Sequence, residues 1–126
     1  MVSHDLTALN RQAITAAKRY MGRPAGWTVV LITIVFAVYT LTLAAVVTGS
    51  LAVLPAFIML AILTYFSYTP LHEAAHGNIH GERADLAWLN ELCGYVSAQL
   101  ILVPYATHRV EHFAHHRYTN QPDRDP

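Results

Sequence analysis

Two uncharged runs with almost nothing between them constrain this chain more than any other feature. Trp27 to Val47 contains no charged residue, and neither does Leu51 to Thr69. As a helix the first run is roughly 31 Å long, enough to cross the hydrocarbon core of a bilayer. Thr48-Gly49-Ser50 is a tight break, so the pair reads as a transmembrane helical hairpin. Pro55 falls in the first turn of the second run, where a missing N–H costs nothing. A cleaved signal peptide competes for the first run, but its apolar core would span only about 7–15 residues and start nearer the N-terminus. Composition agrees with a membrane setting: 13% of residues are charged and 54% hydrophobic, at net charge zero, against about 25% charged in soluble domains. There is no basic excess for phosphate contacts, so nucleic acid is excluded as a partner. The single cysteine, Cys93, rules out an internal disulfide and any Cys-based metal motif, and reads as a buried apolar residue.

On the N-terminal side, Ser3 to Met21 carries Leu6, Leu9, Ala13, Ala16, Ala17 and Tyr20 at helical spacing, with Arg11, Lys18 and Arg19 on or beside the other face. The spacing predicts an amphipathic helix lying on a membrane surface, with an ordinary surface helix as the alternative. Gly22 to Gly26 breaks it. Arg11, Lys18, Arg19 and Arg23 precede the hairpin and the later arginines follow it, so the positive-inside rule puts both ends in the cytoplasm. The expected organisation is an all-α membrane protein. Residues 1–26 form a cytoplasmic or interfacial segment, 27–69 the hairpin, and 70–126 a cytoplasmic histidine-bearing region.

All but one of the eight histidines follow Pro70, which is expected to kink or restart the second helix. His72, His76 and His80 recur at every fourth position and would form one helical stripe. His108, His112, His115 and His116 fall inside an arc of roughly 80–100° if their segment is helical. A lone histidine is ordinarily a surface group titrating near neutrality, but two phased stripes beside a hairpin are not explained that way. Neutral imidazole is the commonest metal-binding side chain, so the two stripes predict a polyhistidine metal site, with one metal or two. For both stripes to share it they must leave the same face of the bilayer. The segment between them, Leu86 to Val103, sets Leu89, Cys93, Val96 and Leu100 on one face against Asn90, Glu91, Gly94 and Ser97 on the other. Were it to cross, the stripes would be separated, and Glu91 in mid-bilayer would cost about 2.5–3.5 kcal/mol. It is therefore expected to be an interfacial or shallow re-entrant helix.

Three functions fit these residues. His72-Glu73-Ala74-Ala75-His76 matches H-E-x-x-H, the pattern in which two histidines hold zinc and the glutamate is general base of a metalloprotease. The pattern is short, and the extended form fails because Gly77 follows His76 at once. A non-catalytic membrane protein that senses or ferries metal is a second option. The third, an oxidoreductase, is what the following resemblance implies. Glu73 and Glu111 stand as ligands, as partners of ligating imidazoles, or as plain surface carboxylates.

The order of hairpin, H-E-A-A-H, amphipathic segment and H-F-A-H-H-R-Y-T-N-Q-P-D-R-D-P resembles the membrane fatty acid desaturase superfamily, whose relatives include the carotenoid hydroxylases and ketolases. The resemblance covers Tyr65 to Pro126 in motif and nearly the whole chain in topology. It implies an O2-dependent, non-haem di-iron enzyme acting on lipid chains, giving a double bond or a hydroxyl. His72 and His76 match the first histidine box, and His112, His115 and His116 the second. His80 and His108 lie outside the boxes as auxiliary ligands, hydrogen-bond partners, or neither. Asn120, Asp123 and Asp125 match the segment that follows the second box, where carboxylates orient ligating imidazoles. The resemblance implies two iron ions, O2 as co-substrate, and electrons from a separate carrier of ferredoxin or cytochrome b5 type, since no nucleotide-binding glycine fingerprint is present. The family carries a third histidine box after a further pair of membrane helices, so the chain is expected to be the N-terminal part of such an enzyme and inactive alone.

Overall fold

The structure, a computed structural model, describes residues 6–126. They form five α-helices and one short 3-10 turn, with no strand among them. Helix α1 is Leu6–Lys18, α2 is Gly26–Val47, α3 is Val53–Ala75, α4 is Ala87–Ile101 and α5 is Tyr105–Tyr118, with the 3-10 turn Ala84–Leu86 leading into α4. The first residues of the expected amphipathic helix, Ser3 to Asp5, lie outside the described residues. What is described of it, α1, buries none of its side chains.

α2 and α3 are long and apolar enough to cross a membrane, and together they are the expected hairpin. Their junction shows how the break is made. Gly49, at φ +72°, reverses the chain. Its N–H donates to the Val46 carbonyl (3.0 Å) and that of Ser50 to Ala45 (2.8 Å), so the last carbonyls of α2 are satisfied as the helix stops. Large apolar side chains such as Leu54, Phe57, Ile58 and Ile62 point outward. In water these would be a liability; in lipid they are the solvent-facing surface.

One expectation needs correction. α3 does not end at Thr69 or restart at Pro70; it runs unbroken to Ala75 with Pro70 inside. Pro70 removes one backbone donor, but its ring is fully buried where α3 packs against its neighbours. His72 and His76 therefore follow Thr69 on the same continuous helix, His76 as its cap.

The packing also decides which face of α4 is inside, which the two stripes left open. α4 lies antiparallel beside the C-terminal half of α3. Asn90 reaches the Ala74 carbonyl at one end, and Thr64 reaches the Leu100 carbonyl at the other. The face turned inward carries Asn90, Gly94, Ser97 and Ala98, with Cys93 and Leu100 buried as well, while Trp88, Leu92 and Tyr95 are exposed. Small residues let helix backbones approach where apolar burial offers no gain, which is the packing logic of a membrane interior. At Ile101–Pro104 the chain bends by 96° into α5, with Leu102 in a left-handed conformation at φ +61°. α4 and α5 thus form a sharply bent pair, and the bend brings both histidine segments to one end of the hairpin.

That end is braced by two linkers. Ala25 N–H reaches the carbonyls of Asn78 and Ile79 (3.2 Å each), and Glu82 N–H reaches that of Gly22 (2.9 Å). A side chain at Gly81 would collide with the Gly22 carbonyl, so the glycine is what lets the two backbones meet.

Candidate metal centre

One carbonyl positions the site. Ala74 O, in the last turn of α3, accepts from Asn90 Nδ2 of α4 and from the Tyr105 hydroxyl of α5, both at 3.0 Å. Helix C-termini leave carbonyls without i+4 donors; here Gly77 N–H reaches this one at 3.1 Å, and two other helices add a donor each. Tyr105 can lie there because residue 94 has no side chain: a Cβ on Gly94 would strike the Tyr105 ring. Tyr105, His108, His112 and His116 follow at three- and four-residue steps, so they form one stripe of α5. Pinning Tyr105 to α3 turns that stripe toward His72 and His76.

Four imidazoles converge as a result. His76, His112 and His116 bring their Nε2 atoms within 2.8–3.1 Å of one another, and a ring nitrogen of His72 joins them so that all four ligand atoms lie within 4.8 Å. The three contacts cannot all be hydrogen bonds, because two of any three ring nitrogens must both be donors or both acceptors. Around a metal held at about 2.0–2.1 Å by imidazole, neighbouring nitrogens stand roughly 2.9–3.4 Å apart, depending on whether the angle is nearer 90° or tetrahedral. The separations among His76, His112 and His116 fit a shared ion. Tyr68 packs its ring 6.2 Å from His72, and Phe113 lies 5.6 Å from His76; these two aromatic rings flank the group.

Protonation follows from the crowding. Burial, then the imidazoles of His72, His76, His116 and His108, pushes the His112 pKa down to about 4. His76 is lowered by burial and by His72 and His116, against the opposing pull of Glu73. His108 is lowered chiefly by burial. These rings are neutral at physiological pH, the form that ligates metal.

The remaining histidines named from the sequence do not join the four. His80 would have continued the first stripe, but α3 stops at Ala75 and Gly77 reverses the chain at φ +74°, carrying His80 away. Its Nδ1 is buried without a hydrogen-bond partner among the described residues. His108 stacks on His112 at 5.6 Å with its edge toward Tyr68, and its buried Nε2 is likewise unpartnered. His115 lies about 100° around the helix from His116 and pairs instead with Asp125, Nδ1 to Oδ1, at 2.7 Å. Glu73 does not face an open metal position. Its Oε2 accepts from Asn78 (2.9 Å) and its Oε1 lies 3.4 Å from His72 Nδ1. Catalytic zinc proteases use three protein ligands and leave a water position, an arrangement unlike these four imidazoles. Asn90, Gly94 and Tyr105 carry no metal-ligand signature in the sequence; only the helix packing assigns them their positioning role.

Fold and site together define an integral membrane protein whose histidines, drawn from two segments, converge on a group able to hold a metal ion. The chain belongs to the fatty acid desaturase family, whose profile matches residues 48–126. It is 39% identical over 46 residues to a Delta(12) fatty acid desaturase of Caenorhabditis elegans, covering 36% of this chain and 12% of that protein. It is 31% identical over 78 residues to an sn-1 oleoyl-lipid 12-desaturase of Anabaena variabilis, covering 60% and 22%. Over 54 residues it is 37% identical to an sn-1 acyl-lipid omega-3 desaturase (ferredoxin) of a Nostoc strain, covering 43% and 14%. The chain thus spans between 12% and 22% of the length of these relatives. No solved structure matches it.

Proposed function

We propose that the chain supplies the first two histidine boxes of an O2-dependent, di-iron membrane desaturase that oxidises an acyl chain of a lipid. The observation that carries this reading is the meeting of His76 with His112 and His116 at 2.8–3.1 Å across the bent pair α4 and α5, in a chain of the desaturase family. His72, His76, His112 and His116 hold one iron, and His115 serves a second. Bound iron supplies the activation of O2 and the removal of hydrogen from an unactivated C–H bond. The chain's own part is to keep His76 and His112 neutral, bring the four imidazoles together, and flank them with Tyr68 and Phe113 against water. The acyl-lipid substrate follows the names of the relatives, and a ferredoxin-type electron donor follows that of the Nostoc relative.

Placement is read from charge. Arg11, Lys18, Arg19 and Arg23 flank one end of the hairpin, and Arg83, Arg109 and Arg117 follow it, while the link between α2 and α3 carries no charge. This puts α1, the linkers and the histidines on the cytoplasmic side. α1 lies on that surface with Leu6, Leu9 and Ala13 in the headgroup boundary and Arg11 and Lys18 toward water. α4 dips partway into the bilayer, with Glu91 paired to Arg109 at 3.2 Å.

The test is metal analysis of the detergent-purified protein after loading with Fe2+ under anaerobic conditions, with His76→Ala and His112→Ala alongside. Iron retained by the unaltered chain and lost from both variants supports the assignment; iron unchanged in both ends it. Acyl-chain analysis of host lipids by gas chromatography then asks whether double bonds appear and depend on the same residues.

A further inference from the structure

We infer that Asp125 selects which nitrogen His115 presents, acting as a positioning residue for the one box histidine that the four-imidazole group leaves out. His115 Nδ1 stands 2.7 Å from Asp125 Oδ1. A carboxylate only accepts, so a proton lies on Nδ1, and in the neutral ring the lone pair is then on Nε2. Imidazoles that bind a metal through one nitrogen hold the other against a carboxylate, carbonyl or water in this way. With Nδ1 occupied, His115 has one nitrogen to offer, and α5 aims it away from the stripe of His112 and His116.

The contact comes from a folded-back tail, ten residues on in sequence. α5 ends at Thr119, and Asn120 reverses the chain at φ +65°. Gln121 N–H then donates to the Tyr118 carbonyl, and the N–H groups of Arg124 and Asp125 both donate to the Gln121 carbonyl, all at 2.9 Å. The Arg124 guanidinium sits 5.5 Å from the Tyr118 ring centroid, clamping the turn to the helix. The Asp125 side chain is 23% exposed and the His115 side chain 52%. The carboxylate is held inside the turn while much of the imidazole stays accessible. This is the arrangement of a fixed acceptor behind an available ligand.

The choice of tautomer stands on the geometry alone; its purpose, a metal at Nε2, rests on the metal-centre reading above. The experiment separates the two. The chain is labelled with 15N-histidine in detergent micelles, and the His115 ring signals are identified by their loss in His115→Gln. The unaltered chain is expected to show His115 protonated at Nδ1. Asp125→Asn, which removes the charge and adds a donor, is expected to move it toward the Nε2-protonated form, with Asp125→Glu recovering part of the original spectrum. Affinity for the second equivalent of Co2+, a redox-stable probe measured by chelator competition once the four-imidazole group is filled, is expected to fall about 10–100-fold in Asp125→Asn and to recover partly in Asp125→Glu. His115 nitrogen signals unchanged by Asp125→Asn overturn the inference, and so does a Co2+ affinity unchanged alongside them. If His76→Ala and His112→Ala leave Co2+ binding intact while the tautomer still shifts, the metal-centre reading fails and the Asp125–His115 pairing survives it.

Discussion

His76 and His112 are 36 residues apart in sequence, yet their Nε2 atoms are 2.8 Å apart. One belongs to the cap of α3 and the other to the middle of α5. Nothing in either segment holds the pair together; the helix packing around Ala74 does.

Groups that act as a unit lose function together. His76→Ala and His112→Ala are each expected to lower metal affinity by more than tenfold, and the double variant by little more than either alone. Metal content by atomic emission, with chelator competition for affinity, checks this. Additive losses would mean that the two histidines serve separate ions.

Metal-free protein is expected to lose stability on mild acidification. His112 has an ordinary pKa of 6.5 that folding lowers to about 4, so the unfolded chain binds a proton that the folded chain refuses. Its contribution is fully present above pH 6.5 and declines as pH falls toward 4. His76, shifted the same way, adds to the slope. Thermal unfolding in detergent between pH 7.5 and 4.5 measures it. His112→Phe should flatten the curve, and bound metal should shift the loss to lower pH by competing with the proton.

The docking of α5 depends on a missing side chain. Gly94→Val is expected to push Tyr105 off α4 and break its hydrogen bond to Ala74, costing about 1–3 kcal/mol. Tyr105→Phe removes only the hydroxyl donor and should cost about 0.5–1.5 kcal/mol. The larger variant should also lower metal affinity, since it frees the histidine stripe, whereas Tyr105→Phe should largely spare it. Unfolding midpoints and metal titration together separate the two effects.

Gly81 carries a positive φ of 56° and sits against the Gly22 carbonyl. Gly81→Ala is expected to cost about 1–2 kcal/mol through the left-handed backbone alone, and more because the two linkers must part. Faster proteolysis around residues 20–25 in the variant would report the loosening.

How much of this was legible in advance differs by element. The hairpin was readable because absence of charge over a bilayer's thickness is a local property, and Gly49 marked its turn. The spacing of both histidine boxes was readable too, since helical phase follows from residue number. The end of α3 was not: Pro70 is a helix breaker in isolation, and only its burial against neighbouring helices lets α3 continue to Ala75. The inward face of α4 was not readable either, because stripes of large and of small or polar residues do not declare which one meets protein and which meets lipid.

Residue order alone determined the membrane hairpin, the helical character of the histidine segments and their metal-binding chemistry, all of which follow from composition and period within a few turns. Which histidines meet, and which nitrogen each one offers, was decided by tertiary structure. Helical phase confines each imidazole to a face, but the partner for that face comes from contacts far away in sequence: Asn90 and Tyr105 on one carbonyl, a bare Gly94, and a tail that returns Asp125 to His115.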